Sequence, residues 1–155
     1  MQIAQKDEAI LTLRAQELSL AELNSAWLQT LLDEMQSTML AKQGVGIAAP
    51  QVYVSRRIII VASHPNARYP DAPEMPAVAM INPEIIHRSC ETLWGEEGCL
   101  SVPFERGQVA RAATIQVRYL DRNGQQQMNT YSGFPARIVQ HEVDHLDGIL
   151  FTQYL

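Results

Sequence analysis

Apolar residues recur at helical spacing in the first third of the chain. Over Ser25 to Gln43 they stand three or four residues apart, which predicts an amphipathic helix with one buried face. Asn24 or Ser25 can cap the start of this helix, and Gly44 can end it. A weaker pattern predicts a short helix around Asp7 to Glu17.

Shorter apolar segments in the middle of the chain predict strands. The β-branched run Ile58 to Val61 predicts a buried strand, and Val78 to Ile81 and Ile85 to His87 predict two short strands around an Asn82-Pro83 turn. Ser63 to Pro76 holds four of the eight prolines, so we expect an exposed loop there.

The last third of the chain predicts a hairpin followed by a helix. Thr114 to Tyr119 alternates polar and apolar residues, and the return strand lies near Gln127 to Tyr131, because Asn123-Gly124 supplies the positive φ angles of a tight turn. The closing helix begins after Ser132-Gly133 and ends at Gly148. This order predicts an α+β fold, with mainly antiparallel sheets packed around the C-terminal helix, in one domain spanning residues 1–155.

Composition narrows the class of protein. The chain has 155 residues, of which 46% are hydrophobic, enough for a globular domain with a real core. The net charge is −5 and no basic run occurs, which argues against nucleic acid and membrane surfaces as partners. No apolar run approaches the roughly 18 residues of a membrane span, and Met1 to Arg14 lacks the apolar core of a secretory signal. We therefore expect a cytoplasmic protein.

The closing helix carries the strongest chemical signal, His141-Glu142-Val143-Asp144-His145. Residues four apart share one face of a helix, so His141 and His145 can bind one metal ion while Glu142 moves protons. The same five residues can also match by chance, as two surface histidines. Asp144 can fix the tautomer of a ligand imidazole or be a solvated carboxylate, and the sequence leaves both readings open.

A third ligand must lie upstream, because the ten residues after His145 contain neither His nor Glu. Cys99 is the best candidate, since Gly98 before it permits a tight backbone path and a thiolate binds Fe²⁺ or Zn²⁺ strongly. His64 and His87 are better explained as solvated residues. A small buried hydrophobic residue is the alternative for Cys99 and our expectation for Cys90; we favour thiolate ligation over a disulfide.

A third segment, Gly44-Val45-Gly46-Ile47-Ala48-Ala49-Pro50-Gln51, combines small residues with a glutamine. Small residues let a substrate backbone approach closely, and the segment lacks the Lys-Ser/Thr ending of a phosphate loop. Taken alone, it is better explained as a helix end leading into a strand.

Together the three segments resemble the signature motifs of the peptide deformylases. They stand in the right order at intervals of roughly fifty residues, and the resemblance extends from about Ser25 to Leu155. It implies a metal-dependent hydrolase that removes the formyl group from the N-terminal formylmethionine of newly made polypeptides and releases formate. The matching residues are Gly44-x-Gly46-x-Ala48-Ala49-x-Gln51, Glu97-Gly98-Cys99-Leu100-Ser101 and His141-Glu142-x-Asp144-His145-Leu146-x-Gly148.

The resemblance assigns roles to the catalytic residues. It implies one divalent metal ion, with a fourth coordination position left open as in catalytic sites; Fe²⁺ is the usual metal of the family, and Zn²⁺, Ni²⁺ or Co²⁺ suit the same ligands. Glu142 would act as general base and then acid, and the Gln51 amide and the Leu100 N–H would stabilise the oxyanion. The implied metal ligands are Cys99, His141 and His145.

The resemblance also implies peptide contacts. Backbone groups of Val45, Gly46 and Gly98 would pair with an extended substrate in the manner of an added strand. Arg106 would contact the peptide further along or be solvated. Apart from the resemblance, Arg137 stands next to Ile138 on the closing helix, and we expect it to influence which peptides are accepted. The methionine side chain needs an apolar pocket, whose candidate walls are Val45, Phe134 and Ile138.

Two other functions use the same features. A metallopeptidase shares the HExxH pattern but lacks its downstream third ligand here, and a metal-stapled module that only binds N-terminal methionine peptides has no need of Glu142 or Gln51. We expect a monomer. Many bacterial deformylases continue into a C-terminal helix that contacts the ribosome, and since the chain stops at Leu155, ribosome contact is in doubt.

Overall fold

The computed structural model describes residues 1–155, which form three α-helices and seven strands. The helices are α1 (Leu20–Leu23), α2 (Ala26–Ala41) and α3 (Gly133–Leu146), and single 3₁₀ turns cover Ala9–Thr12, Ala49–Val52 and Phe151–Tyr154. The strands are β1 (Gly46–Ala48), β2 (Ile58–Ser63), β3 (Met75–Arg88), β4 (Thr92–Cys99), β5 (Val102–Ala112), β6 (Thr114–Leu120) and β7 (Gln126–Ser132).

The strands form two antiparallel sheets. Five of them pair in the order β1-β2-β3-β6-β7, and β4 and β5 form a separate hairpin. Both β1 and β4 are therefore edge strands with one side left for a further partner. None of the helices is long and apolar enough to cross a membrane. The predicted α+β fold with antiparallel sheets and a closing helix is confirmed.

β2 is buried on both faces, which explains its unbroken run of β-branched residues. Ile59 and Val61 pack in the core cluster that also holds Val139 and Val143 of α3. The alternate residues of β2 pack with α2 on the other face. The five-stranded sheet thus separates α2 from α3 and holds α3 firmly, since the buried face of α3 contacts β1 and β2.

The predicted α2 is confirmed, with Ser25 as its cap: the Ser25 hydroxyl accepts a hydrogen bond from the Leu28 N–H at 3.3 Å. Its end differs from the prediction, because Gln43 and not Gly44 adopts the left-handed conformation, at φ 56°. The Gly44 N–H then donates a hydrogen bond to the Met39 carbonyl at 2.9 Å. The short helix expected around residues 7–17 is wrong, since only a 3₁₀ turn forms there.

β3 is one strand of 14 residues and not two short ones. Asn82 interrupts its pairing with a φ of 51°, so the expected turn is only an irregularity in the register. The Asn82 side chain accepts a hydrogen bond from the Leu18 N–H at 2.9 Å, which fixes the N-terminal segment to the sheet. In the hairpin after β6, only Gly124 adopts positive φ, and Asn123 does not.

The β4–β5 hairpin was not predicted from the sequence. Its strands carry exposed aromatic residues, Trp94 at 72% and Phe104 at 97% exposure, alongside charged ones, so no clean alternation shows in the sequence. The inner side of the hairpin packs on a small third cluster that includes Leu11, Val109 and Phe151. This hairpin delivers Cys99 to the helix that carries the histidines.

Candidate metal-dependent active site

Two elements bring the proposed ligands together. His141 and His145 lie one turn apart on the buried face of α3, and Cys99 ends β4, with all three side chains buried. The Cys99 Sγ lies 3.3 Å from the His145 Nε2. One donor atom from each of the three residues falls within 4.8 Å of the other two.

The donor set fits a divalent metal. Bonds of about 2.0 Å to imidazole nitrogen and 2.3 Å to thiolate, at tetrahedral angles, put ligand atoms roughly 3.5 Å apart. Burial alone raises the pKa of Cys99, but the neighbouring His145 and His141 lower it well below its ordinary value, which favours the thiolate. The neighbouring residues thus favour a soft anionic ligand beside two imidazoles. Cys90 is exposed and unbonded, so its expected burial is wrong.

Glu97 orients the first histidine, a role the sequence did not reveal. Its Oε1 accepts from the His141 Nδ1 at 2.9 Å, which leaves the His141 Nε2 for a metal. Two further hydrogen bonds of 2.9 Å come from Arg111, and one of 2.8 Å from Arg137. Burial by itself raises the pKa of Glu97, but Arg111 and His141 outweigh it and hold the pKa at about 2. The sequence places Glu97 two residues before Cys99, but this spacing gives no sign of its contact with His141 on α3.

Asp144 does not orient a histidine. Its Oδ2 accepts hydrogen bonds from Arg111 at 2.6 Å and from the Tyr154 hydroxyl at 3.1 Å. The carboxylate therefore extends the Arg111 network to the C-terminal 3₁₀ turn. Asp144 therefore fills neither of the two roles that the sequence left open: it is not a partner of a ligand imidazole, and it is not a solvated carboxylate.

Glu142 is a buried carboxyl group with an unused oxygen. Its exposure is 4%, and its Oε1 makes no hydrogen bond with the protein. Burial raises the pKa of Glu142. A buried carboxyl that no partner compensates is costly, so its position is better explained by chemistry than by stability. Gly46 makes room for it, because a Cβ at this position would approach the Glu142 Oε2 to 2.5 Å.

Gln51 is buried and its amide is fixed at both ends. Its Oε1 accepts from the Ala48 N–H at 2.9 Å, and its Nε2 donates to the Ser101 hydroxyl at 3.0 Å. The second Nε2 hydrogen is directed toward Cys99, whose Sγ lies 3.5 Å away. The Leu100 N–H, next along the chain, has no hydrogen-bond partner in the protein. Two donors therefore stand beside the proposed ligands.

A cavity opens from this site, and its lining includes all three expected apolar walls. Val45, Phe134 and Ile138 lie there with Gly46, Gly98 and Glu142. The Val45 carbonyl already accepts from the Ala62 N–H at 2.8 Å, so it is not free for the expected pairing with a substrate backbone. Because pairing alternates along a strand, Gly46 directs its own backbone groups away from β2, toward the free edge.

The proline-rich segment is not simply an exposed loop. Tyr69 folds back over the cavity, with its ring 5.1 Å from that of Phe134. The Tyr69 hydroxyl accepts from the Gly98 N–H at 3.1 Å and donates to the Gly98 carbonyl at 3.4 Å. The two Gly98 groups at the free edge of β4 are therefore both occupied, and a peptide that pairs with them must displace Tyr69.

The two candidate arginines have different surroundings. Arg137 is buried and donates to the carbonyls of Leu93 and Val109 at 2.8 Å each, besides Glu97. Its guanidinium is therefore engaged with the β4–β5 hairpin, while the residue also lines the cavity, so its influence on which peptides are accepted stays a prediction. Arg106 lies over the Tyr69 ring at 4.8 Å and pairs with Glu96 at 3.1 Å, beside the cleft.

The fold and the site together define a metal-dependent hydrolase. The chain belongs to the polypeptide deformylase family, whose model matches residues 1–155. It removes the formyl group from the N-terminal formylmethionine of newly made polypeptides and releases formate. The family resemblance seen in the sequence is thereby confirmed.

Individual relatives agree with this assignment. Peptide deformylase 2 from Nostoc is 52% identical over 140 residues, which cover 90% of this chain and 78% of that protein. The Met-Ala-Ser-bound crystal structure of the class I type b peptide deformylase from Acinetobacter baumannii is 60% identical, with a TM-score of 0.98, and the alignment covers 100% of this chain and 98% of that one. A probable peptide deformylase from Synechococcus phage S-SSM7 is 34% identical, with a TM-score of 0.88, covering 100% and 99%.

Proposed function

We propose that Cys99, His141 and His145 hold the metal for deformylation and that Glu142 moves the protons. A divalent metal bound at this position would act as a Lewis acid and would make hydroxide accessible near neutral pH. Glu142 accepts a proton from the attacking water through its free Oε1 and returns it to the leaving amine. The observation that carries the proposal is the convergence of three donor atoms within 4.8 Å beside this unpartnered carboxyl oxygen.

Two donors are placed to stabilise the oxyanion that forms when the formyl carbon is attacked. The Gln51 Nε2 is held by Ser101, with its remaining hydrogen directed toward Cys99, and the Leu100 N–H is free. A fixed donor needs no reorganisation during the reaction, and losing one typically reduces the rate by about 10²–10³.

The substrate backbone would lie between β1 and β4, the two edge strands that border the cleft. Gly46 and Gly98 offer their backbone groups from the two sides, and the peptide takes the place of the Tyr69 hydroxyl on Gly98. The methionine side chain would enter the cavity walled by Val45, Phe134 and Ile138. The product-like tripeptide in the Acinetobacter baumannii structure supports this class of ligand.

Fe²⁺ is the native metal in this proposal, because a thiolate with two imidazoles suits it and it is the family's usual metal; the same ligands accept Zn²⁺, Ni²⁺ or Co²⁺. We also propose that the enzyme is a monomer of one domain. We propose that it is cytoplasmic, since its substrates are newly made polypeptides. A transient contact with the ribosome stays a prediction.

The test is formate release from formyl-Met-Ala-Ser by anaerobically purified protein, with bound metal measured in the same sample. We expect about one metal ion per chain, held by three protein ligands. Glu142→Ala should keep the metal, and its turnover rate should fall about 10²- to 10⁴-fold, because only the proton transfer is removed. Glu91→Ala, a change at an exposed position, is the matched control.

Retention of most activity by Glu142→Ala would contradict the assigned mechanism. Loss of the metal in that variant would move Glu142 from proton transfer to metal binding. A casein digest by the same preparation separates deformylation from peptidase activity, which shares the HExxH pattern.

A further inference from the structure

A second groove adjoins the catalytic cavity. Both are lined by Arg68, Gly98, Cys99 and Leu100, so the groove continues from the cleft along the end of β4. It extends past Pro103 and Arg106 and toward the end of α2, where Lys42 lies. A peptide that pairs with Gly98 and places its methionine in the cavity can continue into this groove with its next residues.

The groove carries more positive charge than its own acidic residues neutralise. Its lining holds Lys42, Arg68 and Arg106 but only one carboxylate, Glu105. Glu105 pairs with Lys6 at 2.9 Å, and Arg106 pairs with Glu96 at 3.1 Å. No carboxylate lies within 4.0 Å of Lys42 or Arg68, so two cations face the groove without an ion-pair partner.

The positive charge of the groove is opposite in sign to the net charge of the whole chain, which is −5. A cleft lined by one sign of charge concentrates ligands of the opposite sign, and only a local arrangement can produce a positive field on an acidic protein. The Arg68 guanidinium stays on the cleft side, 5.6 Å from the centre of the Tyr69 ring that covers the cavity. Its charge therefore stands where a peptide passes from the cavity into the groove.

We propose that this groove receives the residues that follow formylmethionine and favours acidic side chains there, an inference that rests on the proposed function. Carboxylates at the second and third positions of the peptide meet Lys42 and Arg68, neither of which has an ion-pair partner in the protein. Polypeptides with Asp or Glu after the first methionine are thus the preferred substrates.

The test compares formyl-Met-Asp-Asp-amide with formyl-Met-Asn-Asn-amide, which have nearly the same shape and no terminal carboxylate. We expect kcat/KM to be about fivefold higher for the acidic peptide at low salt, from two partly exposed charge contacts. The ratio should fall toward one in 0.5 M NaCl, where the Debye length is only a few ångströms. Formyl-Met-Asn-Asn with a free C-terminus measures separately what a terminal carboxylate contributes.

Charge variants connect the preference to these two residues. The double variant Lys42→Gln/Arg68→Gln should lose the preference for the acidic peptide. Arg88→Gln makes the same kind of charge change at an exposed residue outside both linings, and should keep it. Equal kcat/KM for the two peptides in the unmodified protein at low salt, or a preference that survives in the double variant, would overturn the inference.

Binding separates this inference from the proposed function. The products Met-Asp-Asp-amide and Met-Asn-Asn-amide can be titrated by calorimetry without turnover. A several-fold lower Kd for the acidic product supports the groove assignment, even in a preparation that releases no formate. Equal Kd values overturn it, whatever the activity.

Discussion

At the residue scale, the catalytic side chains owe their orientation to partners distant in sequence. The Gln51 amide is held by the Ala48 N–H on one side and by Ser101 on the other, and Ser101 is completely buried. In the proposed mechanism Ser101 acts only by positioning Gln51, whose amide it holds. Since the geometry of an oxyanion donor decides its value, the Ser101 hydroxyl should matter for rate.

We expect Ser101→Ala to lower kcat about tenfold, because the Gln51 amide can rotate once its partner is gone. The metal content should change little, whereas the Tm should fall by a few degrees because a buried amide hydrogen loses its acceptor. In a background of Gln51→Ala the same substitution should have almost no effect on kcat, since the two residues act as one unit. Steady-state kinetics of the two single variants and the double variant check this; additive effects would contradict it.

Gly46→Ala should displace Glu142. The added Cβ would lie 2.5 Å from the Glu142 Oε2, which is too close, so the flexible Glu142 side chain would have to move. A shift of about 1 Å at a catalytic group can reduce the rate about 10²-fold, so we expect a large loss of kcat with the metal retained. Formate release and metal analysis on one sample measure both. Unchanged kcat would show that Glu142 tolerates the shift.

The identity of the site residues could be predicted from the sequence, but their supporting contacts could not. Cys99, Gln51 and Glu142 belong to recognisable patterns. The role of Glu97 depends on β4 ending against α3, and that of Ser101 on its contact with the 3₁₀ turn that holds Gln51; both contacts join segments more than forty residues apart. Asp144 shows the opposite error, since a residue next to the histidines in sequence lies beside Arg111 and Tyr154 in space.

At the element scale, one side chain connects α3 to the β4–β5 hairpin. Arg137 extends from the helix and donates to carbonyls of both strands and to Glu97. Gly95 leaves the space for it, because a Cβ there would come within 2.7 Å of the guanidinium. The relative position of Cys99 and the histidines therefore depends on this arginine.

Arg137→Met should lower the free energy of unfolding by about 3–5 kcal/mol, because it leaves the buried Glu97 with one fewer cation and two strand carbonyls without donors. For a chain of this size that corresponds to a fall in Tm of roughly 6–20 °C. Thermal unfolding measures it, with the exposed Arg88→Met as control. A fall of less than about 2 °C would contradict the anchoring role.

The elements with clean periodicity were predicted correctly, and the others were not. α2, β2 and β6 have one or both faces buried, so their apolar pattern shows in the sequence. β4 and β5 face solvent on one side with Trp94 and Phe104, which hides the pattern. The N-terminal segment forms only a single 3₁₀ turn, because it is held by hydrogen bonds to distant residues such as Gln51, Ser101 and Leu146 and not by local propensity.

At the scale of the whole molecule, the site lies where two sheets and a helix meet. Cys99 comes from the hairpin and both histidines come from α3, which is packed on the five-stranded sheet. A bound metal therefore adds a further link between the hairpin and α3, which already meet through hydrogen bonds of Arg137, Arg111 and His141 and through a small apolar cluster. Its binding free energy adds to the stability of the folded state.

Removal of the metal by a chelator under anaerobic conditions should lower the Tm. At a free metal concentration about 1,000 times Kd, binding stabilises the folded state by about 4 kcal/mol. The loss should appear mainly as faster hydrogen exchange in β4 and β5, measured by mass spectrometry. Cys99→Ala, which lacks one ligand, should respond less to the chelator. Faster exchange spread evenly over all strands would contradict this.

The unpaired edges of β1 and β4 have a consequence for solubility. An open strand edge accepts a substrate, but it equally accepts the edge of another molecule, and such pairing leads to aggregation. β1 limits this risk by its length of three residues, and the Tyr69 hydroxyl covers the exposed groups of Gly98. The contact that a substrate must displace is thus also a guard against self-association, and loosening it to speed binding would make the free enzyme more prone to precipitate.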